Sequence, residues 1–247
     1  MFDLSGKTAV VTGAANGIGK AITTLFLERG AQIVATDLAA DDLNAAFGDD
    51  DRARLVIGDI ADDGVQEAVI AAAQAHFGAL DILVNNAGIA IAGDYETLTD
   101  EQFDHIMAIN VRAVFRLTRL ALPLLKQAAY GRVINLGSIM SDVGGPALAI
   151  YGASKHAVAG LTKGMAVDFG QHGITANYLQ PGAIWTKMSE PFMDDPAFRQ
   201  YWEDKAPVGR LGEAPEVAMA ALFLASDEAQ FVSGTGLNVD GGAIVKF

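Results

Sequence analysis

Tyr151 and Lys155 stand four residues apart in YGASK, and Ser138 precedes the tyrosine by thirteen residues in INLGS. A free phenol has a pKa of about 10 and accepts protons poorly near neutral pH. A cation within ~4–6 Å favours the phenolate and lowers that pKa by roughly 1–3. Residues four apart on a helix share a face, so Lys155 is expected to reach the Tyr151 hydroxyl. Such a pair protonates a carbonyl oxygen or deprotonates an alcohol, and Ser138 can add a hydrogen bond to the same oxygen. A lone YxxxK more often marks a surface helix with a snorkelling lysine. The upstream serine and a glycine-rich turn near the start of the chain argue against that here.

That turn is TGAANGIG at 12–19. Gly13, Gly17 and Gly19, with Asn16 and Ile18 between them, permit a tight turn and a close backbone approach. The helix that follows offers free N–H groups and a positive dipole end to a pyrophosphate. The spacing is G-x-x-x-G-x-G, which departs from the G-x-G-x-x-G dinucleotide fingerprint. Asp37 closes the second apolar run, twenty residues after Gly17, where an acidic side chain can bond a ribose 2′-hydroxyl. A 2′-phosphate there would meet like charge, a repulsion of about 4 kcal/mol at ~4 Å and an effective dielectric of ~20. The local sequence ATDLAADD holds no arginine or lysine, so NAD is expected over NADP. A helix-capping role for Asp37 is compatible with this.

Taken in order, TGAANGIG at 12–19, Asp37, Asp59, NNAG at 85–88, Asn110, Ser138, YGASK at 151–155, PGAIWT at 181–186 and DGG at 240–242 resemble the short-chain dehydrogenase/reductase family from end to end. The G-x-x-x-G-x-G spacing is the one seen in that family. The resemblance implies hydride transfer between a nicotinamide and a carbonyl carbon, with Tyr151 as general acid or base and Ser138 orienting the oxygen. It implies that Lys155 also grips the nicotinamide ribose and that Asn110 holds a water linking the lysine to solvent. Asp59 and Ile60 would touch the adenine, and Asn86, Ala87 and Gly88 the adenosine ribose. Pro181 and Gly182 would open the segment in which the Ile184 backbone and the Thr186 hydroxyl hold the carboxamide. Without the resemblance, Asn110 reads as a polar residue in a long helix, at a kink, and NNAG as a turn.

The elements that must position these residues alternate regularly. Apolar runs rich in Val and Ile fall at 8–11, 33–36, 55–57, 82–84, 133–136, 174–178 and 237–239. They are nearly continuous, as in a parallel sheet covered on both faces. Helical patterns fill 20–29, 65–77, 100–127, 153–170 and 215–225. The expected class is therefore α/β: a doubly wound, Rossmann-like parallel sheet of seven strands, in one domain over 1–247. The stretch 184–210 breaks the rhythm. It follows a strand end and holds both tryptophans, so it is expected to cover the substrate. The alternative is a helical insertion whose aromatics pack into the core or a subunit contact.

Over half of the 247 residues are hydrophobic and 19% are charged, with a formal net charge of −13. A compact globule follows, and so acidic a chain repels nucleic acid and anionic membrane, so neither is expected as a partner. There are no cysteines, which excludes disulfides, thiolate metal sites and a Cys nucleophile. His76, His105, His156 and His172 show no ligand spacing, so no metal is expected. The first residues lack a basic-then-apolar leader and no apolar stretch is long enough to span a bilayer, which points to a cytoplasmic protein.

Candidate pocket residues are Ile139, Met140, Val143, Leu148, Trp185, Met188, Phe192 and Trp202. Their size and apolarity favour a hydrophobic or aromatic ketone and its secondary alcohol. Lys187, Arg199 and Lys205 could serve an anionic substrate, although acidic residues crowd them. Rival readings are a polyol or sugar-acid dehydrogenase and a 3-oxoacyl-thioester reductase. Asp37 argues against the second, as do Ala128, Ala129, Gln171 and His172 where carrier-binding arginines would be expected. A non-catalytic NAD-binding sensor should have lost Tyr151, Lys155 or Ser138, and all three are present. The resemblance also implies a homotetramer, with the helices at 100–127 and 153–170 paired across two-fold axes and the C-terminal residues joining a further interface.

Overall fold

The computed structural model describes residues 1–187, 189–190 and 194–246. The strands are β1 (Thr8–Thr12), β2 (Gln32–Asp37), β3 (Ala53–Ile57), β4 (Ile82–Asn85), β5 (Arg132–Leu136), β6 (Thr175–Pro181), β7 (Ile184–Trp185), β8 (Gly212–Glu213) and β9 (Gly236–Val239). The helices are α1 (Gly17–Glu28), α2 (Ala40–Phe47), α3 (Asp63–Phe77), α4 (Asp100–Met107), α5 (Ala113–Leu125), α6 (Ala149–Phe169), α7 (Pro196–Lys205) and α8 (Ala214–Ala225). Seven strands form one all-parallel sheet in the order β3-β2-β1-β4-β5-β6-β9. The seven apolar runs in the sequence are these seven strands. β7 and β8 make a separate two-stranded pair that the sequence pattern did not announce.

Strand alternation explains why both faces are covered. In β1, Ala9 and Val11 enter the core beneath α1, α2 and α8, whereas Val10 enters the core beneath α3, α5 and α6. A strand with period 2 and both neighbours apolar has to read as a continuous run. The chain moves left from β1 to β2 and β3, then crosses back to β4. This reversal leaves a crevice beyond the carboxyl ends of β1 and β4.

Local chemistry sets the helix ends. The Asp62 carboxylate accepts from the N–H groups of Gly64 and Val65 to start α3, which stops at left-handed Gly78. Thr99 and Gln102 form a reciprocal capping box at α4. The expected single helix over 100–127 is in fact two helices joined by a π-helical turn, Ala108–Arg112. One short helix, α2, escaped the sequence pattern, and α7 lies within the 184–210 segment, where a helical insertion was the alternative reading. Among the described residues, no helix is long and apolar enough to cross a membrane.

Candidate active site

The glycine turn is stitched to the NNAG turn across the switch point. Thr12 Oγ1 accepts from the N–H groups of Asn86 and Ala87 at 3.0 and 2.9 Å. The Asn86 amide donates to the carbonyls of Thr12 and Gly13 at 2.8 and 3.1 Å. Asn86 thus holds the turn from beneath with its amide hydrogens. A Cβ at Gly19 would lie 2.0 Å from the Gly13 carbonyl oxygen and 2.4 Å from Asn86 Nδ2, so this packing admits only glycine. α1 begins without a side-chain cap, and its first-turn N–H groups stay available to an anion. The residues present fit a dinucleotide pyrophosphate.

Asp37 Oδ2 accepts from Ala15 N at 2.9 Å and Oδ1 from Ala39 N at 3.0 Å. Its carboxylate therefore braces the glycine turn against the entry to α2, two residues ahead of the N-cap position at Ala39. Each oxygen retains a lone pair for a ribose hydroxyl. The sequence showed no cation beside Asp37, yet the fold brings one to α2: Lys187 Nζ lies 3.0 Å from Asp42 Oδ2, which also accepts from Asn16 Nδ2 at 2.9 Å. Asp42 neutralises that lysine. Asp59 is exposed and accepts from Ala61 N, whereas Ile60 is buried and its carbonyl accepts from Gln66.

The first residues of α6 bring the proton-transfer group together. Burial raises the Tyr151 phenol's pKa above its ordinary value, and the nearby Ser138 side chain acts more weakly in the other direction. Lys155 is 6% exposed. Its Nζ donates to the Leu136 carbonyl at 2.7 Å and lies 5.6 Å from the Tyr151 ring centroid. The last carbonyl of β5 takes a hydrogen bond from the ammonium, which sits over the Tyr151 ring. Burial brings its own pKa down to about 8. His156 bonds the Gly152 carbonyl, turned away from this group.

Asn110 lies in the π-helical turn. Its amide exchanges two hydrogen bonds with the Ile89 backbone, both at 2.9 Å, and donates to Ser154 Oγ at 3.0 Å. Ser154 Oγ in turn donates to the Tyr151 carbonyl at 2.7 Å. A Cβ at Gly88 would lie 3.1 Å from Asn110 Oδ1 and 3.6 Å from Lys155 Nζ, so NNAG, the π turn and α6 converge. Sequence reasoning missed Thr12 and Ser154. Both were in view, as the threonine that opens TGAANGIG and the serine inside YGASK.

Beyond β6, Gly182 N donates to the Val239 carbonyl at 3.1 Å, which ties the Pro181–Gly182 bend to β9. The Ile184 carbonyl accepts from Ser189 Oγ at 2.7 Å, and Thr186 N donates to the same hydroxyl at 2.9 Å. Thr186 packs 3.3 Å from where a Gly17 Cβ would lie, which closes this segment onto the glycine turn. Met140 and Leu148 both press on Gly145. Trp185 is partly exposed with the Arg199 guanidinium 5.3 Å above its ring. Met188 and Phe192 lie outside the described residues. Trp202 faces a cavity of about 290 Å³ shared with Ala183, Arg210, Asn238 and Asp240, whose lining includes none of Ser138, Tyr151 or Lys155.

A glycine cradle at the switch point of a doubly wound sheet, beside a Ser–Tyr–Lys group whose serine and lysine are buried, defines the class of nicotinamide-dependent oxidoreductases. A family model described as enoyl-(acyl carrier protein) reductase matches residues 13–243. The chain is 41% identical over 245 residues to the 2-(R)-hydroxypropyl-CoM dehydrogenase of Xanthobacter autotrophicus, covering 95% of this chain and 97% of that one. A gluconate 5-dehydrogenase from Burkholderia cenocepacia, solved with NADP and tartrate, superposes with a TM-score of 0.93 at 35% identity, over 100% of this chain and 98% of that one. A 3-ketoacyl-(acyl-carrier-protein) reductase from Brucella melitensis, solved with NADH, gives 0.92 at 35% identity, over 98% and 100%. The chain belongs to the short-chain dehydrogenase/reductase family and is an oxidoreductase.

Proposed function

We propose that this protein is an NAD(H)-dependent enzyme interconverting a secondary alcohol and a ketone, acting as one cytoplasmic dinucleotide-binding and catalytic domain over 1–247. The carrying observation is the Lys155 ammonium, held by the Leu136 carbonyl two residues before Ser138 and 5.6 Å from the ring centroid of a Tyr151 phenol whose pKa is raised by burial. A phenol in that state is protonated at neutral pH, the form that a ketone reduction consumes. When bound, the nicotinamide supplies or accepts the hydride. Tyr151 delivers the proton to the substrate oxygen, Ser138 holds that oxygen, and Lys155 places positive charge over the ring as the phenolate forms. Asn110 fixes the start of α6 through Ser154.

Gly13, Asn16, Gly17, Ile18 and Gly19 hold the pyrophosphate in this reading, and Asp59, Ile60, Asn86, Ala87 and Gly88 the adenosine side. Pro181, Gly182, Ile184 and Thr186 hold the carboxamide side. Asp37 selects NAD, supported by its carboxylate beside the turn and by the pairing of Lys187 with Asp42. Of the similar solved structures with dinucleotide, two carry NADP and one NADH, so this preference rests on Asp37. The substrate is apolar or aromatic, supported by Met140, Leu148 and Trp185, with 184–210 as its cover. A sugar acid is the second reading, favoured by Arg199 over Trp185 and by the likeness to a gluconate 5-dehydrogenase. It ranks second because Arg199 Nε is already paired with Glu203 at 2.8 Å.

The test is NADH and NADPH oxidation measured side by side over small aliphatic, bulky aromatic, keto-sugar-acid and 3-oxoacyl-thioester substrates. The expected result is fast NADH-linked reduction of apolar ketones, lost by ~10²–10⁴-fold in Tyr151→Phe. NADPH preference with thioester turnover would replace this reading by the carrier-protein reductase one.

A further inference from the structure

Gln180 is a long polar side chain in a strand buried along its whole length, and it is 2% exposed. Burying a primary amide is unfavourable unless its hydrogens find acceptors. Its Nε2 donates to Asp142 Oδ2 at 2.8 Å and, more weakly, to the Ser138 carbonyl at 3.5 Å. These two acceptors are the two ends of one 3₁₀ turn, Ile139–Ser141, with Ser138 as its N-cap and Asp142 as its C-cap. Within the turn, Ser138 Oγ accepts from Met140 N at 3.1 Å and Ser141 Oγ accepts from Ser138 N at 3.2 Å. The neighbouring strand makes room for this arrangement: a Cβ at Gly236 would lie 2.0 Å from Gln180 Oε1.

We propose that Gln180 and Asp142 are positioning residues for Ser138, the amide tying both ends of the serine's turn to β6. The turn already fixes Ser138 Oγ as the acceptor for Met140 N–H, which leaves its hydroxyl hydrogen to be aimed toward the phenol and the substrate oxygen. Rotation of the turn would redirect that hydrogen; Gly137 N, bonded to the Leu179 carbonyl at 2.8 Å, holds the turn's entry to β6, and the Gln180 amide holds its exit. Hydrogen-bonded networks of this kind favour one geometry. Asp142 reads in sequence as an ordinary loop carboxylate, and its partner on β6 lies thirty-eight residues further on. The inference rests on the proposed role of Ser138 as the group that orients the substrate oxygen.

Asp142 is exposed, so truncating it leaves the core intact. The experiment compares Asp142→Ala and Asp142→Asn, alone and with Ser138→Ala. It reads amide exchange of the 138–142 segment in dinucleotide-free protein, thermal midpoint, and kcat and KM with NADH and an apolar ketone. Asp142→Ala is expected to speed exchange of that segment without moving the midpoint. It should lower kcat about ten- to a hundredfold and leave KM for NADH unchanged. Asp142→Asn should restore both, since its side-chain oxygen still accepts from Gln180. With Ser138 already alanine, Asp142→Ala should cost nothing more. Unchanged exchange in Asp142→Ala would remove the brace. Faster exchange with wild-type kcat, or a loss that persists undiminished beside Ser138→Ala, would remove the positioning role. A wild-type protein that turns over no carbonyl or alcohol overturns the proposed function instead, and the exchange data still decide the brace.

Discussion

Lys155 is a cation held where water scarcely reaches, and that placement has a thermodynamic signature separate from catalysis. Its folded pKa of about 8, set against an ordinary value of 10.5, means that the unfolded chain binds more protons at this group between those two values. Stability contributed by this group therefore rises with pH through that window and is lowest below it. At roughly 1.36 kcal/mol per pKa unit, the charged lysine costs about 3 kcal/mol near neutrality, offset by about 1 kcal/mol from the bond to Leu136. Lys155→Met should accordingly melt several degrees higher than wild type at pH 7 in dinucleotide-free protein, and the gap should close toward pH 10. A gap independent of pH, or a less stable variant, would show that the ammonium is better solvated than its burial implies. The Tyr–Lys–Ser constellation was legible from spacing alone. The lysine's partner was not, because the Leu136 carbonyl is brought there only when β5 packs against α6.

The elements carry strain-free positions that single substitutions can test. Gly17 has φ +53 and Gly19 sits in ordinary helical backbone, so the constraint at Gly19 is purely one of space. Gly19→Ala must displace either the Gly13 carbonyl or the Asn86 amide. Overpacking of this order costs about 1–3 kcal/mol, and yielding at the turn would convert that into about ten- to a hundredfold weaker NADH binding. Calorimetric titration of a variant with wild-type circular dichroism checks this. Retained affinity would mean that α1 shifts as a body and leaves the cradle intact. The same scale explains what the sequence withheld. The five inner strands were readable because both faces are buried, and the edge strands β3 and β9 from their short Val- and Leu-bearing runs. α2 is eight residues long, too short for a helical period to declare itself, and α7 was legible only as an alternative reading of the 184–210 segment. The extra residue of the π turn is invisible in a repeat pattern, yet it is what aims Asn110 at Ile89 and Ser154.

At the scale of the molecule, the chain leaves apolar surface that one copy cannot bury. Phe103 on α4, Phe115 on α5 and Val167 on α6 are exposed, with Arg119 stacked on Phe115. These are the helices whose resemblance-based role was pairing between subunits. A second exposed set, Met219, Phe231 and Val245, lies near the other end of the sequence, where β9 ends the sheet with one edge unpaired. If each set met its own copy across a two-fold axis, the two contacts would generate a closed tetramer, whereas one would stop at a dimer. Sedimentation at micromolar concentration should give four times the chain mass. Phe115→Glu should break only the helix-face contact, because a charge placed where an apolar ring is buried between subunits has no partner, and the species should then sediment as a dimer held by the C-terminal patch. Phe231→Lys should produce the complementary dimer. A wild-type monomer would leave both patches without a role in self-association, and a Phe115→Glu tetramer would move the contact to another face of α5.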